Sequence, residues 1–311
     1  MNLVLLRNRP HFGAQITTIP VLYFFFQNYS NQDPITLLSK SNVAWVYHQL
    51  PWIKECIHSE NKLADFKKMK DCNNLLNLRP SNRFPIILYK LINGGKVYNF
   101  VKNDFLEHLT SEKYNVLCET EYRALAYLKI FIDDKQALLT ALAAPFYELI
   151  NHSKLHLDKK ELDILVMPGG GAGEVKKWGI ANFLKTANLI ADELNKTCHI
   201  HVLLGPDEQQ EIEYIQEQNN EHVTLHVSTP LCDISKLVDH CDLTIANDCG
   251  PSHIAQCMQK PYIGLFREPN TEWFLNHPNA TKVLPLKGQD IKTITTANVA
   301  NFAINLLKSQ A

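Results

Sequence analysis

The chain has 311 residues, 45% of them hydrophobic and 20% charged, which is enough to bury a core in each of two ordinary domains and too apolar for a disordered chain. Lys and Arg (31) nearly balance Asp and Glu (32) for a net charge of −1, and the acidic second half is not what a nucleic-acid binder needs. The balance hides an asymmetry: residues 1–155 carry 18 basic and 13 acidic groups, residues 156–311 carry 13 and 19, so a basic half suited to an anionic partner or membrane surface precedes an acidic one.

In chain order, Leu3–Leu6 reads as a strand, Gln15–Tyr29 as a helix, and Thr36–Leu38 and Cys72–Leu78 as short strands. Tyr89–Asn93 and Val97–Phe100 continue the pattern, and Tyr122–Ile132 reads as helical. The most apolar stretch, Ile16 to Phe26, contains Thr17, Thr18 and Pro20 and is too short to span a bilayer. The first residues lack the basic region, apolar core and cleavage site of a signal peptide. The polar stretch His152–Lys160 suits a linker, giving expected domains 1–155 and 156–311. Beyond it strands and helices alternate: strand Asp163–Pro168, a helix with Phe183, Ala187 and Ile190 on its apolar face, strand His199–Leu204, helix Glu208–Gln218, strand Val223–Val227 and helix Ile234–Cys241. Strand Asp242–Ala246, a short helix, strands Tyr262–Phe266 and Lys282–Leu286, and helix Thr295–Lys308 with Thr295 as N-cap complete the chain. Such alternation implies parallel sheets covered on both faces. The eight cysteines (56, 72, 118, 198, 232, 241, 249 and 257) form no CxxC pair and no zinc spacing, as expected of reduced, mostly buried thiols in a cytoplasmic protein.

Two loops carry chemistry. After strand 163–168 come Gly169, Gly170, Gly171 and Gly173, which let the backbone approach a ligand, and then Lys176, Lys177 and Trp178. The lysines offer cations to a diphosphate, whereas Trp178 suits packing better than base stacking. The spacing fits neither a dinucleotide fingerprint nor a Walker A loop, and an ordinary glycine-rich turn is the plainer alternative. After strand 242–246 comes Asn247-Asp248-Cys249-Gly250-Pro251-Ser252-His253, whose Asp248, Gly250 and His253 would face a phosphorylated ligand beyond the strand ends. The alternative there is an Asp N-cap with a surface His.

The second half resembles glycosyltransferase family 9, the ADP-heptose:lipopolysaccharide heptosyltransferases. Pro168-Gly169-Gly170 with Lys176-Lys177-Trp178, Gly205-Pro206-Asp207-Glu208, the Asn247–Ala255 segment and Lys260-Pro261 match that family's motifs in order and spacing. The first half is similar at Gly13–Pro20 and at Leu78-Arg79-Pro80-Ser81-Asn82-Arg83. The resemblance implies a GT-B fold, two Rossmann-like α/β domains facing across a cleft, the first binding acceptor and the second a nucleotide-sugar donor. It gives Lys176 the donor diphosphate and leaving-group charge, Glu208 the ribose, Asp248 the sugar hydroxyls, and Gly250 and His253 the phosphate, with Gly169, Gly170 and Cys249 completing the donor site. Where the family has its general-base Asp, this chain has Ala14.

Three functions are weighed. The first is an inverting glycosyltransferase that moves heptose or a related sugar from a nucleotide diphosphate such as ADP-heptose to an anionic cell-envelope glycolipid. It needs no cofactor and no metal, since the second half lacks a DxD motif at a strand end. In that enzyme His11, the only imidazole near Ala14, would replace the missing base, the alternative being a surface loop His. Arg9, Arg79 and Arg83 are the candidate acceptor contacts, or else ordinary surface arginines. The second is a nucleotide-sugar-binding protein that has lost transfer. The third is a sugar-nucleotide epimerase of GT-B-like fold, which the second-half motifs fit less well. An enzyme of the first kind would be cytoplasmic, with peripheral contact at the inner membrane and no nucleic-acid partner.

Overall fold

The computed structural model describes every residue except 8, 10, 82, 104–106, 172, 207 and 311 and the side chains of 62 and 83. It contains two compact units, Met1–Pro145 and Phe146–Ala311. The division falls within a helix, and the polar stretch His152–Lys160 follows as irregular chain.

The first unit holds strands β1 (Asn2–Leu5), β2 (Ile35–Ser39), β3 (Ile53–His58), β4 (Asn74–Asn77), β5 (Lys96–Val101) and β6 (Lys113–Val116). Its helices are α1 (Phe12–Ile16), α2 (Ile19–Tyr29), α3 (Lys62–Met69), α4 (Arg83–Asn93), α5 (Glu107–Thr110), α6 (Arg123–Leu128) and α7 (Lys135–Ile150), the last crossing the division. The strands pair in parallel in the order β3-β2-β1-β4-β5-β6. This is the doubly wound order in which β1 and β4 flank the point where the winding reverses.

Several expectations for this unit need correction. The single helix Gln15–Tyr29 is two helices. Thr17 Oγ1 bonds the Ala14 carbonyl at 3.1 Å and Thr18 Oγ1 bonds the Gln15 carbonyl at 2.7 Å, tying off α1, while Pro20 opens α2 where its missing N–H costs least. Tyr89–Asn93 closes helix α4, whose Ile86 and Tyr89 are buried three residues apart, a helical rather than a strand spacing. Strands β3 and β6 escape a periodicity reading because they lie at the sheet edges and are only half-buried, with Lys54, Glu55 and Lys113 among their residues.

The second unit repeats the plan. Strands β7 (Leu162–Met167), β8 (Cys198–Leu204), β9 (Val223–Val227), β10 (Leu243–Asn247), β11 (Tyr262–Leu265) and β12 (Ala280–Val283) are parallel, in the order β12-β11-β10-β7-β8-β9. Counted from β7, that is the same order as in the first unit, with the reversal between β7 and β10. Helices α8 (Ile180–Leu194), α9 (Gln209–Gln218), α10 (Leu231–His240), α11 (Ser252–Cys257) and α12 (Thr296–Lys308) cover it. Phe183, Ala187 and Ile190 of α8 pack with Val299, Ala303 and Leu306 of α12 on the sheet face formed by Ile164, Val166, Val202 and Ile245. Thr295 caps α12 by accepting the Asn298 N–H at 3.3 Å. All eight cysteines are free thiols, and Cys72, Cys241, Cys249 and Cys257 are buried.

Candidate functional site

The loops after β7 and β10 meet at the reversal point of the second sheet. Asn247, the last residue of β10 and fully buried, joins them: its Nδ2 donates to the Pro168 carbonyl at 2.7 Å and its Oδ1 accepts the Trp178 N–H at 3.4 Å. It thus holds both ends of the glycine loop. Trp178 is buried against Phe183 with its Nε1 donating to the Ile294 carbonyl at 2.8 Å, a packing role as expected. Two glycines are needed for close approach. A Cβ on Gly169 would lie 2.3 Å from Glu208 Oε1, and one on Gly170 would lie 2.7 Å from the Gly173 carbonyl oxygen. Glu208 is held there by the Gly205 N–H, which donates to its Oε2 at 2.6 Å.

Across the loop, Lys176 Nζ lies 2.5 Å from Asp248 Oδ2, the lysine about a third exposed and the aspartate mostly covered. Lys177 corrects the expectation of a second free cation. It pairs with Glu174 at 2.7 Å and Glu211 at 2.8 Å, and although burial opposes its charge, these two carboxylates outweigh that and raise its pKa. Asp248 is not an N-cap either, since Pro251 precedes the first turn of α11.

Cys249 is buried with its sulfur 4.0 Å from the Met167 carbonyl oxygen, and burial pushes its thiol up to about 12. Any contact from Cys249 to a ligand therefore comes from its backbone. His253 is buried beneath this loop, its N–H 3.3 Å from the Gly250 carbonyl and its ring 5.7 Å from that of Trp273. Burial pushes its imidazole down to about 4, against the opposing charge of Asp248. Gln256 Oε1 accepts the Leu275 N–H at 2.7 Å, which fixes that amide so that its Nε2 faces His253 Nδ1 at 3.3 Å. The His253 proton consequently resides on Nε2, making the ring a neutral donor rather than a cation.

The first unit arranges the remaining candidates around its own reversal point. His11 is exposed at the N-cap of α1, with no capping bond from its side chain. Ala14 is 8% exposed, and α1 carries no acidic residue. The loop after β1 is held by Gln15, whose Nε2 donates to the Arg9 carbonyl at 2.8 Å and whose Oε1 accepts the Tyr47 hydroxyl at 2.6 Å. Arg79 is no simple surface arginine. Its Nε donates to the Leu6 carbonyl at 2.8 Å, one terminal nitrogen to Asp65 at 2.7 Å and the other to the Leu38 carbonyl at 2.9 Å, which ties together the ends of β1, β2 and β4. Arg9 lies close enough to the buried Tyr127 for its charge to counter the burial that raises that phenol. Arg83 begins α4, but its side chain lies outside the described residues. Asn247, Gln15 and Tyr47 were missed as site-positioning residues. For Asn247 the signal was available, because it sits between a strand and the Asp248 loop.

Two six-stranded parallel sheets of Rossmann order are the architecture of the GT-B fold. Residues 116–292 match the model of "Glycosyltransferase family 9 (heptosyltransferase)", and the chain belongs to that family. It is 24% identical over 267 residues to lipooligosaccharide heptosyltransferase 2 of Campylobacter jejuni subsp. jejuni serotype O:2, covering 82% of this chain and 77% of that one. Among solved structures, E. coli ADP-heptose lps heptosyltransferase II superposes with a TM-score of 0.64 at 17% identity, covering 100% and 99% of the two chains. E. coli heptosyltransferase WaaC with ADP-2-deoxy-2-fluoro heptose gives 0.62 at 12% identity, with both chains fully covered. Among the described residues no helix is long and apolar enough to cross a membrane.

Proposed function

We propose that this enzyme is an inverting, metal-independent heptosyltransferase that moves heptose or a closely related sugar from an ADP-sugar to an anionic lipopolysaccharide-type acceptor at the cytoplasmic face of the inner membrane. The observation that carries the reading is the Lys176–Asp248 pair set beside Gly169, Gly170 and Glu208 at the reversal point between β7 and β10. The donor diphosphate displaces Asp248 from Lys176, and Lys176 then stabilises the charge that develops on the leaving nucleotide without a cation of its own. Asp248, released, accepts hydrogen bonds from sugar hydroxyls. Glu208 accepts from the ribose, and the Gly250 N–H and neutral His253 donate to phosphate. Support for an ADP-sugar comes from the heptosyltransferase structure with a fluorinated ADP-heptose, and for the acceptor from the lipooligosaccharide relative.

In this reading His11 takes the acceptor hydroxyl's proton in place of the Asp that Ala14 replaces, and Arg9 and Arg83 contact the acceptor's anionic groups. Arg79 positions the loops of the first unit. A second reading, a nucleotide-sugar-binding protein without transfer, is favoured by one feature alone: α1 offers no carboxylate. The two are separated by measuring ADP-heptose turnover on a de-heptosylated lipopolysaccharide core in excess EDTA, beside calorimetric ADP binding. Turnover that persists in EDTA supports the enzyme, turnover restored only by Mg²⁺ overturns metal independence, and ADP binding without turnover supports the binding protein.

A further inference from the structure

At the amino end of β7, on the sheet face away from the core shared by α8 and α12, lies a second polar cluster with no part in the chemistry above. Asp163 is fully buried there, His201 of β8 is 4% exposed on the same face, and His240 ends α10, which packs against β7. Asp163 Oδ1 lies 3.6 Å from His201 Nε2, and Asp163 Oδ2 lies 3.4 Å from His240 Nε2. One ligand atom from each of the three residues falls within 4.8 Å of the others. Among the described residues, Asp163 Oδ1, His201 Nε2 and His240 Nε2 are all buried without a hydrogen-bond partner. Three orphaned atoms gathered around one buried carboxylate are not what a buried hydrogen-bond network leaves behind. We propose that Asp163, His201 and His240 bind one divalent transition-metal ion of the Zn²⁺ class, as a structural site separate from the donor loops.

The donor set fits that ion. Tetrahedral Zn²⁺ takes nitrogen and carboxylate oxygen at about 2.0–2.2 Å, which separates neighbouring ligand atoms by roughly 3.3–3.6 Å, a spacing that Asp163 Oδ1 and His201 Nε2 already have, with the third ligand atom inside 4.8 Å. Two imidazoles and one carboxylate are too few oxygens for Ca²⁺ or Mg²⁺, and a water completes the tetrahedron. A supporting shell is already in place. His201 Nδ1 lies 3.1 Å from His226 Nε2, so metal on Nε2 leaves Nδ1–H to donate to His226, the arrangement that orients a ligating histidine. Asp163 Oδ2 accepts the Lys160 N–H at 2.9 Å, which fixes the carboxylate with Oδ1 directed at His201. Lys159, also 3.4 Å from Oδ2, is half-exposed and makes its shorter contact, 2.8 Å, with Asp242. Sequence spacing gives no warning of this site, because its residues come from two adjacent strands and a helix end and include no cysteine.

The test uses the full chain, stripped with a chelator and equilibrated with buffered Zn²⁺, with bound metal read by mass spectrometry and melting temperature read in parallel. One equivalent of Zn²⁺ per chain and a raised Tm are expected for the unaltered protein, with both lost in His240→Gln and in Asp163→Asn. Co²⁺ substituted at the site should show the absorption of a tetrahedral complex, lost in the same variants. His240 lies at a helix end and is partly exposed, so His240→Gln should melt like the unaltered protein when both are in EDTA, which separates lost binding from lost folding. Failure of the unaltered protein to take up Zn²⁺, or a full equivalent retained in both variants, overturns the proposal. Because the cluster lies at the opposite end of β7 from the glycine loop, ADP affinity in His240→Gln should stay within two-fold of normal.

Discussion

The two sheets share one strand order, yet their reversal points are built differently. In the second unit the loops after β7 and β10 are held by Asn247 and tightened by Gly169 and Gly170, and Lys176 and Asp248 pair with each other across them. In the first unit the corresponding loops after β1 and β4 are held by the polar side chains themselves, Gln15 and Arg79. A rigid frame made of glycine and asparagine leaves charges available for a ligand. A frame made of arginine uses its charge in the framing, and the exposed His11 stands outside it.

That contrast is sharpest in turnover. In His11→Ala the transfer rate should fall by about 10²–10⁴-fold, the usual contribution of a general base, while ADP affinity stays unchanged. Full activity in that variant would show that the base lies elsewhere in the protein. Ala14→Asp placed in the His11→Ala background should recover part of the loss. If the unaltered protein shows no turnover but Ala14→Asp alone does, a degenerated enzyme is the better description.

In the second unit, Lys176→Ala should remove the proposed charge-assisted contact to the diphosphate, worth about 1.5–3 kcal/mol, and weaken ADP binding roughly 10–150-fold. Lys177→Ala, by contrast, should change ADP affinity far less, because Glu174 and Glu211 already neutralise that lysine. Calorimetry on the pair checks the distinction, and equal losses would mean that the pairing of Lys177 opens when the donor binds.

In the first unit, Arg79→Ala should act on stability rather than on the acceptor. It takes the Arg79 donor from the Leu6 carbonyl, while the Leu38 carbonyl keeps the Leu6 N–H and the buried Asp65 keeps the Ser59 hydroxyl, a loss of about 1–3 kcal/mol in a urea titration. Arg9→Ala and Arg83→Ala should instead raise the acceptor KM and flatten its salt dependence. An Arg79→Ala protein of normal stability but weakened acceptor binding would reverse this assignment.

How much of this could be read from the chain follows the same contrast. Strands β7, β8 and β10 are mostly apolar and largely buried, interrupted by Asp163, His199 and His201, and the glycines, lysine and aspartate of the loops after them stand as contiguous motifs in the chain, so the second unit and its glycine and aspartate residues were legible. The first unit was not, because what fixes it is distant in sequence: Arg79 meets Leu6 and Leu38, and Gln15 meets Tyr47. Even in the second unit, the residues alone offer Lys176 and Lys177 alike, and the family resemblance is what singles out Lys176. Only the fold brings Glu211 to one and Asp248 to the other.

The smallest expected effect is also the most discriminating. Asp248→Asn removes the carboxylate that competes with a diphosphate for Lys176. Because that pair is partly exposed, its contribution is on the order of 0.2–1 kcal/mol, so ADP affinity should rise by only about 1.4- to five-fold. The same substitution weakens acceptance of hydrogen bonds from the sugar, so preference for ADP-heptose over ADP should fall. The two ligands therefore move in opposite directions, which a general disturbance of the loop cannot produce. Isothermal titration of Asp248→Asn with both ligands reads the signs directly. A common loss would assign Asp248 to holding the loop shut and return the second unit to the first one's mode of construction, with its charges used for framing.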